Sequence, residues 1–231
     1  MNKLHYDYQA ALSEAIGPTS GITPDELQAS LPLLMAAQEQ MKTRYEKGDL
    51  RFLHLPDERE ILPQIKAFRE KNRWVKNFVV LGIGGSALGA IALHHTFGLL
   101  NQSTEQINFY CFDNVDPEEL ADFFENIDLA TTLFNVVSKS GETLETAAGF
   151  LLARQILRQR LGDAYKQHLV FTTSETSGFL RQVAQAEQIT MFAHPDDVGG
   201  RFTVLSIVGL LPACLLYTSD AADEGDSVDL G

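Results

Sequence analysis

The stretch Asn77–Gly89, NFVVLGIGGSALG, turns from an apolar run into glycines and then a serine. Phe78–Ile83, interrupted only by Gly82, has the pattern of a strand buried on both faces. Gly84 and Gly85 lack the Cβ that would hold a ligand off the backbone, and Ser86 adds a hydroxyl. The spacing predicts a helix over Ala87–Phe97, whose free N–H groups and dipole favour an anion at the strand-to-helix corner. A phosphate seat is the direct reading. Gly82-x-Gly84-x-x-Ala87 also satisfies the loose dinucleotide fingerprint, with Asp113 standing where a ribose-binding acid could sit. A tight turn that binds nothing is the third reading.

Downstream, short β-rich runs alternate with helical spacing. Strands are predicted at Phe78–Gly82, Ile107–Phe112, Leu133–Ser138, His168–Thr173 and Ile189–Phe192, and helices at Ser86–Phe97, Asp116–Glu125, Thr143–Leu161 and Glu175–Gln185. That alternation implies right-handed crossovers and a doubly wound, five-stranded parallel α/β sheet. Asp116-Pro117-Glu118-Glu119 is a helix start capped by Asp116, with acids on the positive end of the dipole. Upstream, Thr23-Pro24-Asp25-Glu26 opens a helix carrying Leu27, Leu31, Leu34, Met35 and Met41, and a second helix is expected from about Asp57 to Lys71. Residues 1–75 therefore read as an N-terminal helical segment and 76–213 as the binding domain with the helix that follows it.

Two further corners bear chemistry. Ser138-Lys139-Ser140-Gly141-Glu142-Thr143 sets three hydroxyls and an ammonium at the mouth of the third crossover helix. In an open parallel sheet such loops face one another outside the carboxyl ends of the strands, and hydroxyls with backbone N–H groups suit a compact phosphate dianion. Val198-Gly199-Gly200-Arg201-Phe202-Thr203 places a lone guanidinium in a sharp turn before a predicted apolar helix, Val204–Leu211. Arg201 could hold an oxyanion with its planar fork, or could pair with Asp196 or Asp197.

Composition narrows the partners. A formal charge of −13 and a pI near 4.8 argue against nucleic acid, which needs basic surface. Cys111 and Cys214 show no CxxC spacing, which fits a reduced, cytoplasmic setting. The N-terminus has no apolar leader-like region, and Val204–Leu216 is short and broken by Ser206, Gly209 and Pro212, so no membrane association is expected. No metal-ligand set is predicted.

Taken in order, LGIGGSALG, SKSGETLET and VGGRFTVLSIVGLLPA closely resemble the glucose-6-phosphate isomerase family of the bacterial type, from about Pro24 to Ala213. The region Lys76–Ile189 is similar to the sugar isomerase (SIS) domain shared with other sugar-phosphate proteins. The resemblance implies a homodimer that interconverts glucose 6-phosphate and fructose 6-phosphate without a cofactor. It further implies that Gly85 and Ser86 contact substrate, and that Ser138, Ser140 and Thr143 hold its phosphate with Lys139 beside them. Arg201 matches the arginine that stabilises the enediol-like intermediate, a species with oxyanion character that the ring sugar lacks.

Family members continue past this region with a second sheet supplying a glutamate base, a ring-opening histidine and a lysine, none of which has a matching position here. His94 and His95 lie on a crossover helix and Glu142 within the phosphate loop, so none replaces them. Cys214–Gly231 carries Asp220, Asp223, Glu224, Asp226 and Asp229 without Lys or Arg and is expected to be a disordered, non-native tail. The chain is thus expected to be a fragment, inactive alone, whose Val204–Leu211 helix leaves apolar surface without its partner sheet. A non-catalytic SIS-type module that binds sugar phosphate and regulates a partner is the alternative; a nicotinamide-binding domain is the third.

Overall fold

The computed structural model describes residues 5–98 and 107–217. It divides into two units, one ending at Leu53 and one beginning at His54. In the first, a short α1 (Ser13–Ile16) precedes α2 (Pro24–Glu46). The expected start of α2 is present as a reciprocal cap: the Thr23 hydroxyl accepts the Glu26 N–H at 3.2 Å, and the Glu26 carboxylate accepts the Thr23 N–H at 2.9 Å. These bonds hold the Glu26 carboxyl below its usual range. No residue of α2 is buried.

The second unit begins with α3 (Leu62–Lys71), which starts later than the periodicity suggested, after a 3₁₀ turn at Leu55–Asp57. Then follow β1 (Asn77–Leu81), α4 (Gly85–Phe97), β2 (Asn108–Phe112), α5 (Pro117–Asn126), β3 (Thr132–Ser138), α6 (Leu144–Leu161), β4 (Leu169–Ser174), α7 (Phe179–Glu187), β5 (Thr190–His194) and α8 (Ile207–Tyr217). All five strands are parallel, in the order β2-β1-β3-β4-β5. This is the expected doubly wound α/β sheet.

Alternation along the strands divides the core between the two faces. Val79, Leu81, Phe134, Val136 and Phe171 pack with Leu120 and Phe124 of α5, Phe150 and Leu157 of α6 and Leu180 of α7. Phe78, Val80, Leu133, Val137 and Val170 face the other way, onto Ile65 of α3 and Ile207, Leu211 and Leu215 of α8. Helix α3, part of the segment read as N-terminal, thus uses its apolar face in the same core as the sheet.

Helix α8 carries two more corrections. It begins three residues later than expected, where the Ser206 hydroxyl donates to the Thr203 carbonyl at 2.7 Å and accepts the Val208 N–H at 3.3 Å. It also continues through Cys214–Tyr217, four residues into the segment expected to lack structure, with Leu215 and Leu216 buried. The rest of that segment, 218–231, lies outside the described residues. Nor is the apolar face of this helix left bare: Ile207, Val208 and Leu211 are each at most 3% exposed. Gly200–Tyr217, with a mean hydropathy of 1.6, would suffice by length and composition to cross a membrane, yet half of it is buried in this core.

Candidate functional site

In this strand order the chain leaves β1 in one direction for β2 and later passes to the other side for β3, so the topological switch point falls between β1 and β3. The first two sequence-predicted corners follow these two adjacent strands. At the first, Gly84 adopts φ 56°, ψ −120°, a conformation open to glycine alone, and α4 starts immediately after it with no side-chain cap. The Ser86 N–H closes the turn on the Ile83 carbonyl at 3.1 Å. By contrast the α5 N-terminus is satisfied by Asp116, which accepts the N–H groups of Glu118 and Glu119 at 2.9 and 3.0 Å, as expected.

At the second corner the hydroxyls bond to one another and to the loop. Ser138 Oγ lies 3.0 Å from Thr143 Oγ1 and accepts the Gly141 N–H at 3.1 Å, while Ser140 Oγ accepts the Glu142 N–H at 3.2 Å. Because Thr143 turns toward Ser138, α6 also opens without a side-chain cap. Ser138 is buried and Ser140 exposed, so the loop has a fixed floor and an accessible rim.

The third corner is tied to both. A Cβ placed on Gly85 would stand 2.2 Å from the Gly200 carbonyl oxygen, so the two backbones touch. Thr203 Oγ1 donates to the Gly200 carbonyl at 2.8 Å and also lies 3.3 Å from that of Gly85. Lys139 Nζ donates to the Val198 carbonyl at 3.1 Å. Arg201 sits between these ties, exposed, in the single 3₁₀ turn Gly200–Phe202.

Sequence reasoning missed the polar group at the carboxyl ends of β4 and β5. Ser174 Oγ and Thr176 Oγ1 reach the Asp196 carboxylate at 3.1 and 3.3 Å. These bonds organise residues 174–176, and α7 starts at Phe179 rather than at Glu175. His194 is 3% exposed, with Nδ1 3.0 Å from the Pro195 carbonyl, an oxygen that can only accept from the ring. Burial pushes its pKa below the ordinary value, Lys139 pushes the same way, and the Pro195 carbonyl and Asp196 oppose. Polar residues closing strands at this end of a parallel sheet were the available signal.

His94 and Glu142 stand apart, one on α4 and one in the hydroxyl loop. His94 Nδ1 lies 2.8 Å from the Tyr217 hydroxyl with its ring against Phe109, and burial followed by the neighbouring His95 lowers its pKa. His95 is exposed on α4, and Glu142 is exposed in the loop. Among the described residues no group of His, Cys, Asp or Glu could hold a metal ion. A shallow cleft lined by Gly82, Ile83, Asn114, Glu145 and Thr146 adjoins the switch point. The broader groove beside Lys71, Trp74 and Lys166 lies at the amino ends of β4 and β5, away from every predicted site residue.

The fold is a doubly wound parallel α/β sheet with glycine- and hydroxyl-bearing loops at its switch point, the place where open sheets of this class take their ligands. The sequence profile of the family described as Phosphoglucose isomerase matches residues 62–224, and the chain belongs to that family. It is 43% identical over 183 residues to the glucose-6-phosphate isomerase of Carboxydothermus hydrogenoformans, an alignment covering 76% of this chain and 39% of that protein. With the glucose-6-phosphate isomerase of Rubrobacter xylanophilus the identity is 39% over 222 residues, covering 93% and 50%. A crystal structure of a hypothetical protein from Thermus thermophilus superposes with a TM-score of 0.75 at 40% identity, covering 83% of this chain and 46% of that one. The chain spans half or less of the length of these relatives.

Proposed function

We propose that this chain is the phosphate-gripping portion of a cytoplasmic, homodimeric glucose-6-phosphate isomerase acting in glycolysis and gluconeogenesis. The observation that carries the reading is the meeting of three corners, after β1, after β3 and before α8, in direct backbone and side-chain contact at the switch point. Ser138, Ser140 and Thr143, with the uncapped first turn of α6, form the seat for the 6-phosphate dianion; Gly85 and Ser86 border it from the neighbouring strand. Lys139 supplies positive charge beside it in a protein of net charge −13. Arg201 faces the reacting end, where proton transfer between C2 and C1 passes through an enediolate. A preorganised guanidinium favours that oxyanion over the neutral sugar.

No cofactor enters this scheme, because aldose and ketose differ only in the positions of protons and an electron pair. The base and the ring-opening acid belong to sequence outside this chain, so the chain alone binds and does not turn over. Titration with 6-phosphogluconate should show weak, salt-sensitive binding that Ser138→Ala or Thr143→Ala lowers; equal curves for all three proteins would refute the seat. The alternative, a non-catalytic sugar-phosphate module that regulates a partner, is separated by assaying isomerase activity on the full-length gene product, where an absence of turnover favours the module.

A further inference from the structure

Arg201 is exposed, yet the turn that carries it is fastened on both sides. After it, Thr203 bonds back to Gly200 and Gly85; just before it, Gly200 rests on the Gly85 backbone. Earlier still is the contact from Lys139 to the Val198 carbonyl, which joins positions 59 apart in sequence. Val198 is 1% exposed, so this ammonium directs a donor to a carbonyl at a buried residue rather than only to water. Lys139 is itself anchored: its carbonyl accepts the Ser174 N–H at 3.1 Å, and the preceding residue, Ser138, is in register with Thr173 of β4.

We propose that Lys139 is a positioning residue, a strap from the Ser138–Thr143 corner to the segment 198–203 that fixes where the Arg201 guanidinium stands. The direction of its Nζ carries this assignment. A lysine acting only as an anion ligand would leave its donors at the mouth of the loop, whereas this one crosses to the neighbouring segment. The strap rests on the proposed site in one respect, namely that the Arg201 turn and the hydroxyl corner serve one ligand. It couples them mechanically: ordering of residue 139 by an occupied corner passes through Val198 to the turn three residues on. Asp196, held by Ser174 and Thr176, fastens the chain two residues ahead of that segment.

The test is amide hydrogen exchange on the full 231-residue chain with and without 6-phosphogluconate. Lys139→Met keeps the apolar stem and removes the donor. Exchange across residues 198–203 should then rise about tenfold, equivalent to about 1.4 kcal/mol of local opening, while β1 and β3 keep their protection. Lys139→Arg should restore protection, since a guanidinium can donate to the same carbonyl. In the wild type the ligand should protect 198–203 further, and in Lys139→Met, at ligand concentrations that saturate its own binding, it should not. Unchanged exchange of 198–203 in Lys139→Met would overturn the strap, as would a loss of ligand binding with the turn undisturbed, which would make Lys139 a direct phosphate ligand. If Lys139→Met loses the protection of Val79 and Phe134 and so fails to fold, Lys139→Leu, which likewise carries no donor, makes the same comparison. Failure of the wild type to bind 6-phosphogluconate would count against the proposed site alone, because the comparison without ligand still decides the strap.

Discussion

The carbonyl of Gly200 occupies the space that a side chain on Gly85 would need, with 2.2 Å between that oxygen and an added Cβ. Nothing flexible stands there to move aside, because the obstructing atoms are backbone. Gly85→Ala should therefore separate the first and third corners, costing about 1–3 kcal/mol as an overpacked contact. Gly199→Ala is the control: φ there is −65°, and its nearest new neighbour is the Phe202 ring at 3.4 Å, so its effect should stay within about 0.5 kcal/mol. Thermal unfolding of both variants checks the pair, and equal melting temperatures would refute the contact.

That contact marks the border of what the sequence discloses. The strands were legible because a parallel sheet covered on both faces demands continuous apolar runs, and Phe78–Leu81 and Leu133–Val137 contain little else. The hydroxyl corner was legible because its residues are contiguous. Contacts between segments far apart in the chain leave no local period: neither Gly85 against Gly200 nor Lys139 against Val198 could be read before the strand order was known. The extension of α8 through Cys214–Tyr217 was missed for a related reason. Its burial depends on α3 and the sheet, while the acidic residues that follow suggested an earlier end.

Ser138 joins two neighbours, accepting the Gly141 N–H and bonding the Thr143 hydroxyl. Ser138→Ala removes both bonds from a buried position and should cost about 1 kcal/mol, lowering the melting temperature by about 2–4 °C. Thr143→Val, which preserves shape, should cost less stability while weakening 6-phosphogluconate binding about tenfold. Differential scanning fluorimetry with and without ligand separates the two effects. A Thr143→Val chain that binds like the wild type would remove that hydroxyl from the seat.

Glu187 at the end of α7 receives the Arg154 guanidinium of α6 in two hydrogen bonds and the Tyr165 hydroxyl at 2.7 Å. The hydrogen bond from Arg154 is the largest influence and holds the carboxyl below its ordinary value of 4.5, against burial. A depressed carboxyl stabilises the fold above its unfolded pKa and loses that contribution as pH falls through the folded one. Glu187→Gln should therefore be less stable than the wild type by about 1.5–3 kcal/mol at neutral pH, with the difference closing below about pH 4.5. Denaturant melts at pH 7 and pH 3.5 check the sign; a gap that persists in acid would show that shape rather than charge holds this pair.

His194 gives the opposite region of the pH scale a marker. Burial is the main cause that lowers its pKa from 6.5, so the folded chain resists the proton that the unfolded chain accepts. Stability must then be complete above pH 6.5 and decline as pH falls from there toward the folded value, with a slope of up to about 1.4 kcal/mol per pH unit from one histidine. His94, also lowered by burial, adds a slope of the same sign. Protonation would further place a cation beside Lys139, loosening the carboxyl ends of β3 and β5 together. His194→Asn should flatten the profile as pH falls below about 6.5, and His94→Asn should remove a separate share. A wild-type chain whose unfolding free energy is constant over that fall would contradict the buried, neutral assignment of the ring.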